Sequence, residues 1–351
     1  MDAEGGEPLM DQVGQIARAV LYEGYLLWPY RQSALKNRHR WTIGGVHPEP
    51  YGRAHDGNPW LMRTQCLLEA DPGAAVDVRV RFLHVVVREP ALLRDGVPEP
   101  VPEPVSGRGS GGVPETVPEP GGVRVLVREE AVEREVAACG LALEGLLRRP
   151  ARVAIDVPAG REYEVLADGS GAALRSWEEL RGHVEVGAEQ VEPGLFRLTV
   201  TVVNTTAWEG GTRTAAMRRT LVSAHSVLHA PDGRFVSLMD PPEELRAHAE
   251  SCGNVGTWPV LVGEKGERHT MLSAPIILYD HPRISPESPG DLFDATEIDQ
   301  LLTLSVLALS DEEKREIREG DPRGREILER CDALTPERLM RLHGVLRTEP
   351  T

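Results

Sequence analysis

The stretch Leu195–Asp240, LFRLTVTVVNTTAWEGGTRTAAMRRTLVSAHSVLHAPDGRFVSLMD, sets the fold class of this chain. Leu198, Val200 and Val202 alternate with Thr199, Thr201 and Val203, which is the period of a strand with one buried face. Asn204, Thr205 and Thr206 make a polar exit into a Gly-containing connection. The chain then returns as a second apolar run, Leu221–Leu228, which carries His225 and leads to His229. Ala230-Pro231-Asp232-Gly233 is a turn signal, and a third run, Phe235–Leu238, follows it. Sheet periods without regularly intervening helices predict an α+β fold with a β-rich antiparallel core of sandwich-like character.

Working outward, strand patterns recur at Met62–Leu68, Val76–Val87, Val153–Val157 and His183–Val186, the last entering the central stretch through Val191-Glu192-Pro193-Gly194. Gly263–Glu267 reads as a hairpin turn before the apolar Met271–Leu278 run. Helices are expected peripherally: residues 12–27 capped by Asp11, a helix over Glu129–Arg148 with Cys139 in its apolar part, a short one at Trp177–Leu180, and a proline-started one at Pro241–Glu250. Asp294 with Glu297, Ser310 with Glu313, and Thr335-Pro336 open helices in the last third.

Repeated Val-Pro-Glu-Pro and a Gly-rich run between residues 91 and 121 carry too many prolines for a helix or a central strand. Residues 91–121 are therefore expected to be a disordered insert between strands of one domain. The expected division is a β-rich core over 1–90 and 122–293, with a helical C-terminal appendix over 294–351.

Composition limits the function. A net charge of −16 opposes nonspecific wrapping of nucleic acid. No apolar run approaches the roughly 20 residues that span a bilayer, and the acidic start MDAEGGEPLMDQ does not read as a secretion signal. A cytoplasmic protein is expected. Cys66, Cys139, Cys252 and Cys331 form no CxxC pair, which favours reduced, buried thiols over a disulfide scaffold. The sequence does not specify an oligomeric state.

The densest cluster of cations in this acidic chain is Arg31, Lys36, Arg38 and Arg40, bordered by Trp28, Tyr30 and Trp41. Charge and aromatic surface suit this segment to an acidic protein or an anionic ligand; the alternative is compensation of the chain's own carboxylates. The glycines of Thr42-Ile43-Gly44-Gly45 serve a turn, and neither a GxxxxGK[ST] nor a GxGxxG phosphate loop is present.

His47, His55 and Cys66 have the chemistry of transition-metal ligands, as have His225 and Cys252, but their spacing matches no compact ligand motif. On a strand His225 and His229 stand roughly 13 Å apart, too far to share an ion, and HExxH is absent. Cys252 has no adjacent histidine to make it a nucleophile, and Glu297 with Asp299 read as polar capping and solvated carboxylates rather than a glycosidase pair. No catalytic residue and no resident cofactor are expected; a transition metal is the one addition the His and Cys set would admit.

Leu21–Gly52, LYEGYLLWPYRQSALKNRHRWTIGGVHPEPYG, and Leu278–Lys314, LYDHPRISPESPGDLFDATEIDQLLTLSVLALSDEEK, resemble segments of uncharacterised bacterial proteins associated with nickel–iron hydrogenase gene clusters. The two blocks cover about a fifth of the chain. The resemblance implies an accessory role in hydrogenase assembly or cofactor-protein handling. It does not imply the hydrogenase itself, whose paired CxxC ligands are absent. The expected function is a non-catalytic accessory or interaction protein with a hydrogenase-related or other acidic partner. A metal-dependent enzyme or metal-handling factor and a structural homo-oligomer are the alternatives.

Overall fold

The computed structural model describes residues 14–18, 20–21, 44–94, 97–100, 128–165, 172–283, 311, 314–315 and 328–329. The alternation expected around Leu195 is the inner half of a two-sheet sandwich. In chain order its elements are α1 (Glu49–Ala54), β1 (Leu61–Ala70), β2 (Ala75–Arg94), β3 (Val97–Pro100), β4 (Arg128–Ala142), α2 (Leu143–Arg148), β5 (Ala151–Val157), β6 (Gly160–Val165), β7 (Ala172–Trp177) and β8 (Leu180–Glu192). There follow β9 (Leu195–Asn204), α3 (Arg213–Met217), β10 (Val222–His229), β11 (Gly233–Val236), a 3-10 turn (Glu243–Leu245), α4 (Arg246–Glu250), β12 (Trp258–Leu261) and β13 (Thr270–Ala274).

One sheet has the order β11-β1-β9-β8-β5; the other runs β12-β13-β10-β2-β7-β6, with β3 and β4 also paired to β2. All pairings are antiparallel. The two runs that define the sequence pattern, β9 and β10, do not pair with each other. They lie in opposite sheets, and Leu198, Val200 and Val202 meet Ala224 and Leu228 in one buried cluster with Val76, Val78, Val80 and Phe82 of β2. The turn at Ala230–Gly233 is likewise a change of sheet, since β11 pairs with β1. A buried hydroxyl bond crosses the sandwich directly, Thr64 Oγ1 of β1 donating to Ser273 Oγ of β13 (2.7 Å).

Several expectations are corrected. Glu129–Arg148 is strand β4 through Ala142 and helix only from Leu143. Its Glu and Arg residues, helix-like in composition, serve cross-strand ion pairs: Glu135 with Arg79 (3.0 Å) and Glu133 with Arg81 (3.0 Å). Cys139, expected in an apolar region, is exposed on this strand. Trp177–Leu180 is no helix; Trp177 ends β7 and Leu180 begins β8. Eight residues of the segment expected to be a disordered insert, Ala91–Arg94 and Val97–Pro100, are strand. β2 continues to Arg94, and β3 pairs back onto it over Ala91–Arg94. Pro98 and Pro100 are tolerated there because β3 pairs on one side alone, among the described residues. Residues 95–96 and 101–121, and the appendix apart from positions 311, 314–315 and 328–329, lie outside the described residues.

Helical residues 14–18 and 20–21 cover the outer face of the larger sheet. Ile16, Ala17 and Val20 cluster with Val227, Val260, Leu272 and Leu278, and Leu21 with Leu83, Val85 and Val222. Beneath them β10 carries a bulge between Val222 and His225, with Ser223 in the left-handed region (φ 53°) and its hydroxyl donating to Val20 O (3.2 Å).

Candidate functional site

The residues singled out from sequence do not converge. Trp28, Tyr30, Arg31, Lys36, Arg38, Arg40 and Trp41 lie outside the described residues. His47 and His55 do come near one another, but as the ends of a stack. With Tyr51 of α1 they recur every four residues, His47 just before the helix and His55 capping its end. The Tyr51 ring lies between the two imidazoles, at 5.5 Å from His47 and 4.1 Å from His55, with Trp208 edge-on to it at 5.5 Å. His47 Nδ1 donates to Pro59 O and His55 Nδ1 to Tyr51 O. With a phenol ring separating them, the two histidines cannot share an ion.

Cys66 is wholly buried on the inner face of β1, and desolvation pushes its thiol far above the ordinary range. Cys252 packs against the outer-face cluster of Leu67, Leu245 and Ala249, with its thiol also raised by burial. The two cysteines thus stand on opposite faces of the same sheet. His225 is fully buried on the outer face of β10. Its Nδ1 donates to Ser223 O (3.2 Å), Nε2 has no hydrogen-bond partner among the described residues, and burial lowers its pKa to about 4. Among the described residues no three His, Cys, Asp or Glu side chains are grouped to hold a metal ion.

One cleft opens where β10 and β7 part along the same edge of β2, lined by Val85, Val87, Ser176, Trp177, Glu178 and Arg218. Its volume of about 110 Å³ is well below the roughly 300 Å³ at which small-molecule pockets begin. Glu178 is already paired with Arg219 (2.9 Å) and Arg218 with Glu129 (2.9 Å). His84, at the same fork, is neutral, its pKa lowered to about 4 first by burial and then by Arg134.

The feature that packing leaves open lies at the edge of the larger sheet. After β13 the chain turns back along β12, rooted where Pro275 backs onto Gly44 (φ 68°), so closely that a Cβ on Gly44 would lie 2.3 Å from Pro275 Cβ. Asp280 ties the returning segment down. Its Oδ1 accepts from Leu261 N (2.8 Å), and its other oxygen accepts from the Ser237 hydroxyl, which itself accepts from Met239 N (3.1 Å). His281 N donates to Leu261 O (2.7 Å).

Along this tethered segment side chains alternate. Ile276 and Leu278 pack into the cluster beneath Ile16, Ala17 and Val20, while Ile277 and Tyr279 face out. Ile277 is 73% exposed, Tyr279 81%, Met239 47% and Trp258 45%. Ile277 and Tyr279 thus set two large apolar groups on one side of an ordered segment, and such groups mark interaction surfaces, while Trp258 stands on β12 and Met239 beyond β11. The sequence reading missed this pair because APIILYDHP looks like core. The available signal was the pair of prolines, Pro275 and Pro282, bounding an apolar run too short to be a covered strand.

No protein-family model matches this chain, and no curated protein matches its sequence at a significant level.

Proposed function

We propose that this chain is a non-catalytic accessory protein of the cytoplasm that works by binding a protein partner. The observation that carries this reading is the pair Ile277 and Tyr279, exposed on a segment whose Ile276 and Leu278 pack inward and whose end the Asp280 carboxylate ties to Leu261 and Ser237. A site built this way binds without a covalent step; it presents or stabilises its partner through surface complementarity. The resemblance of Leu21–Gly52 and Leu278–Lys314 supplies the partner class, a component of nickel–iron hydrogenase assembly. The second of those segments begins between the exposed two, at Leu278. Arg31, Lys36 and Arg38 are the proposed second contact, toward an acidic surface of the same partner. Among the described residues no helix is long and apolar enough to cross a membrane.

The test is native affinity capture of the full chain, with mass spectrometry of retained proteins and elemental analysis of the same eluate. Hydrogenase components are expected in stoichiometric amount and without a chelator-resistant metal, and they should be lost from Ile277→Ser and Tyr279→Ser variants that fold normally. Unchanged capture by those variants would overturn the reading. Stoichiometric metal retained after mild chelation would replace it with metal handling.

A further inference from the structure

Independently of the Ile277 and Tyr279 pair, we infer that β5 is a homodimerisation edge: a second copy of this chain adds its own β5 antiparallel about Ala154, placing Arg152 opposite the partner's Asp156.

Which groups of β5 are free follows from its neighbour β8. Arg181 O accepts from Thr205 N (2.8 Å) and Arg181 N donates to Thr206 Oγ1 (2.9 Å), so residue 181 turns its backbone toward the end of β9. In an antiparallel ladder the N–H and carbonyl of one residue point the same way, and the direction alternates along the strand. Residues 180, 182, 184 and 186 therefore face β5, where they meet Val157, Ile155, Val153 and Ala151. Arg152, Ala154 and Asp156 are left with their backbone groups on the open side, all three exposed and without a backbone partner among the described residues. Three successive outward residues, in a strand that pairs with β8 without a bulge, form a template for strand addition. Other edges are blunted. At β12 the outward positions are Pro259, which has no N–H, and Leu261, already engaged by Asp280 and His281. At β11 Phe235 N donates to Arg268 O (2.6 Å).

The side chains of this one strand select a second copy in one register. An antiparallel pair centred on Ala154 sets Arg152 opposite the partner's Asp156 and Val153 opposite the partner's Ile155, twice by symmetry. Within each copy Asp156 pairs with Arg181 across the ladder, and Arg152 lies opposite Glu185. The outer face of the joined sheet then carries the row Arg181, Asp156, the partner's Arg152 and the partner's Glu185, alternating in sign at every step. Centring on Arg152 or on Asp156 sets like charges opposite, and centring on Val153 or Ile155 leaves both without an opposite charge. On the inner face Val153 and Val157, half-buried in one copy, gain cover. Pro150 and Pro158 bound the strand, and once two copies have paired neither β5 edge remains open, so the assembly closes as a dimer.

The experiment is analytical ultracentrifugation of the full-length protein over a range of concentrations, where a monomer–dimer equilibrium is expected. Ala154→Pro removes an outward N–H that the fold does not use and deletes two hydrogen bonds per dimer, so it should weaken association about tenfold or more while the circular dichroism stays that of the wild type. Arg152→Glu and Asp156→Lys should each weaken self-association, because each sets like charges opposite twice. Mixing these two variants should restore a heterodimer in which both pairs are again of opposite sign. A protein that stays monomeric at every concentration, a dimer indifferent to Ala154→Pro, or variants that do not recover on mixing overturns the inference. So does a dimer that Tyr279→Ser abolishes, which would put the second copy on the other surface. Should Ala154→Pro unfold the protein, the mixing experiment decides alone.

Discussion

Phe82, Phe196 and Phe235 are wholly buried between the two sheets, whereas Ile277 and Tyr279 stand 73% and 81% exposed, although both groups sit in equally apolar runs. The first set is placed by packing: each ring fills space among neighbours contributed by both sheets, and no polar contact is needed to define it. The second set is placed by polar tethers, with Asp280 and His281 fixing the backbone so that alternate side chains go in and out. Apolar residues fixed by volume report on stability. Apolar residues fixed by a carboxylate can be exposed to a partner without the fold depending on them.

Breaking the packed region should have the largest effect. Phe196→Ala removes a ring at the centre of the sandwich and is expected to cost about 3–5 kcal/mol, measured by urea denaturation; a loss below about 1 kcal/mol would mean the sheets can close over the space. Next comes acid. His84 and His225 have folded pKa values lowered to about 4 from 6.5, so the unfolded chain binds their protons first. Their contribution is complete above pH 6.5 and is lost as pH falls toward 4. Stability should already decline between pH 6.5 and 5, before most carboxylates titrate, and His225→Leu should flatten that decline. A flat profile in the wild type would show these histidines to be solvated.

The tethered region should respond differently. Asp280→Ala leaves Leu261 N–H and the Ser237 hydroxyl without their acceptor, at a cost of about 1–3 kcal/mol. It should also weaken partner capture, because Ile277 and Tyr279 lose their fixed direction. Smallest in stability is Tyr279→Ser, expected within about 0.5 kcal/mol of wild type yet abolishing capture. If Tyr279→Ser unfolds the protein as Phe196→Ala does, the distinction between the two regions collapses.

The sandwich core was legible because Leu198, Val200, Val202, Val76, Val78, Val80 and Phe82 alternate strictly, and alternation encodes which face is buried. It does not encode which strand lies opposite. β9 and β10 therefore read as one antiparallel unit, while they face each other across the core. β4 was misread because Glu129, Glu130, Glu133, Arg134 and Glu135 favour helices locally. The decisive partners, Arg79, Arg81 and Arg88, lie about fifty residues earlier in sequence. The candidate site was the least legible part. Histidines and cysteines attract notice by their chemistry, yet His225 and Cys66 are packing elements, and the exposure of Tyr279 depends on an Asp280 contact to Leu261 and Ser237 that no local pattern announces.

The position of β1 also governs how the chain reaches this state. It lies between β9 and β11, so a nascent chain that has passed Ala70 must carry both edges of β1 unpaired until residue 195 and then residue 236 have been made. Few of its defining contacts are local, which places it among slow-folding topologies. During that interval the inner face of β1, with Met62, Cys66 and Leu68, is open to wrong partners. Synthesis of this chain therefore puts a load on chaperones that a protein of the same size with neighbouring strands paired in sequence would not.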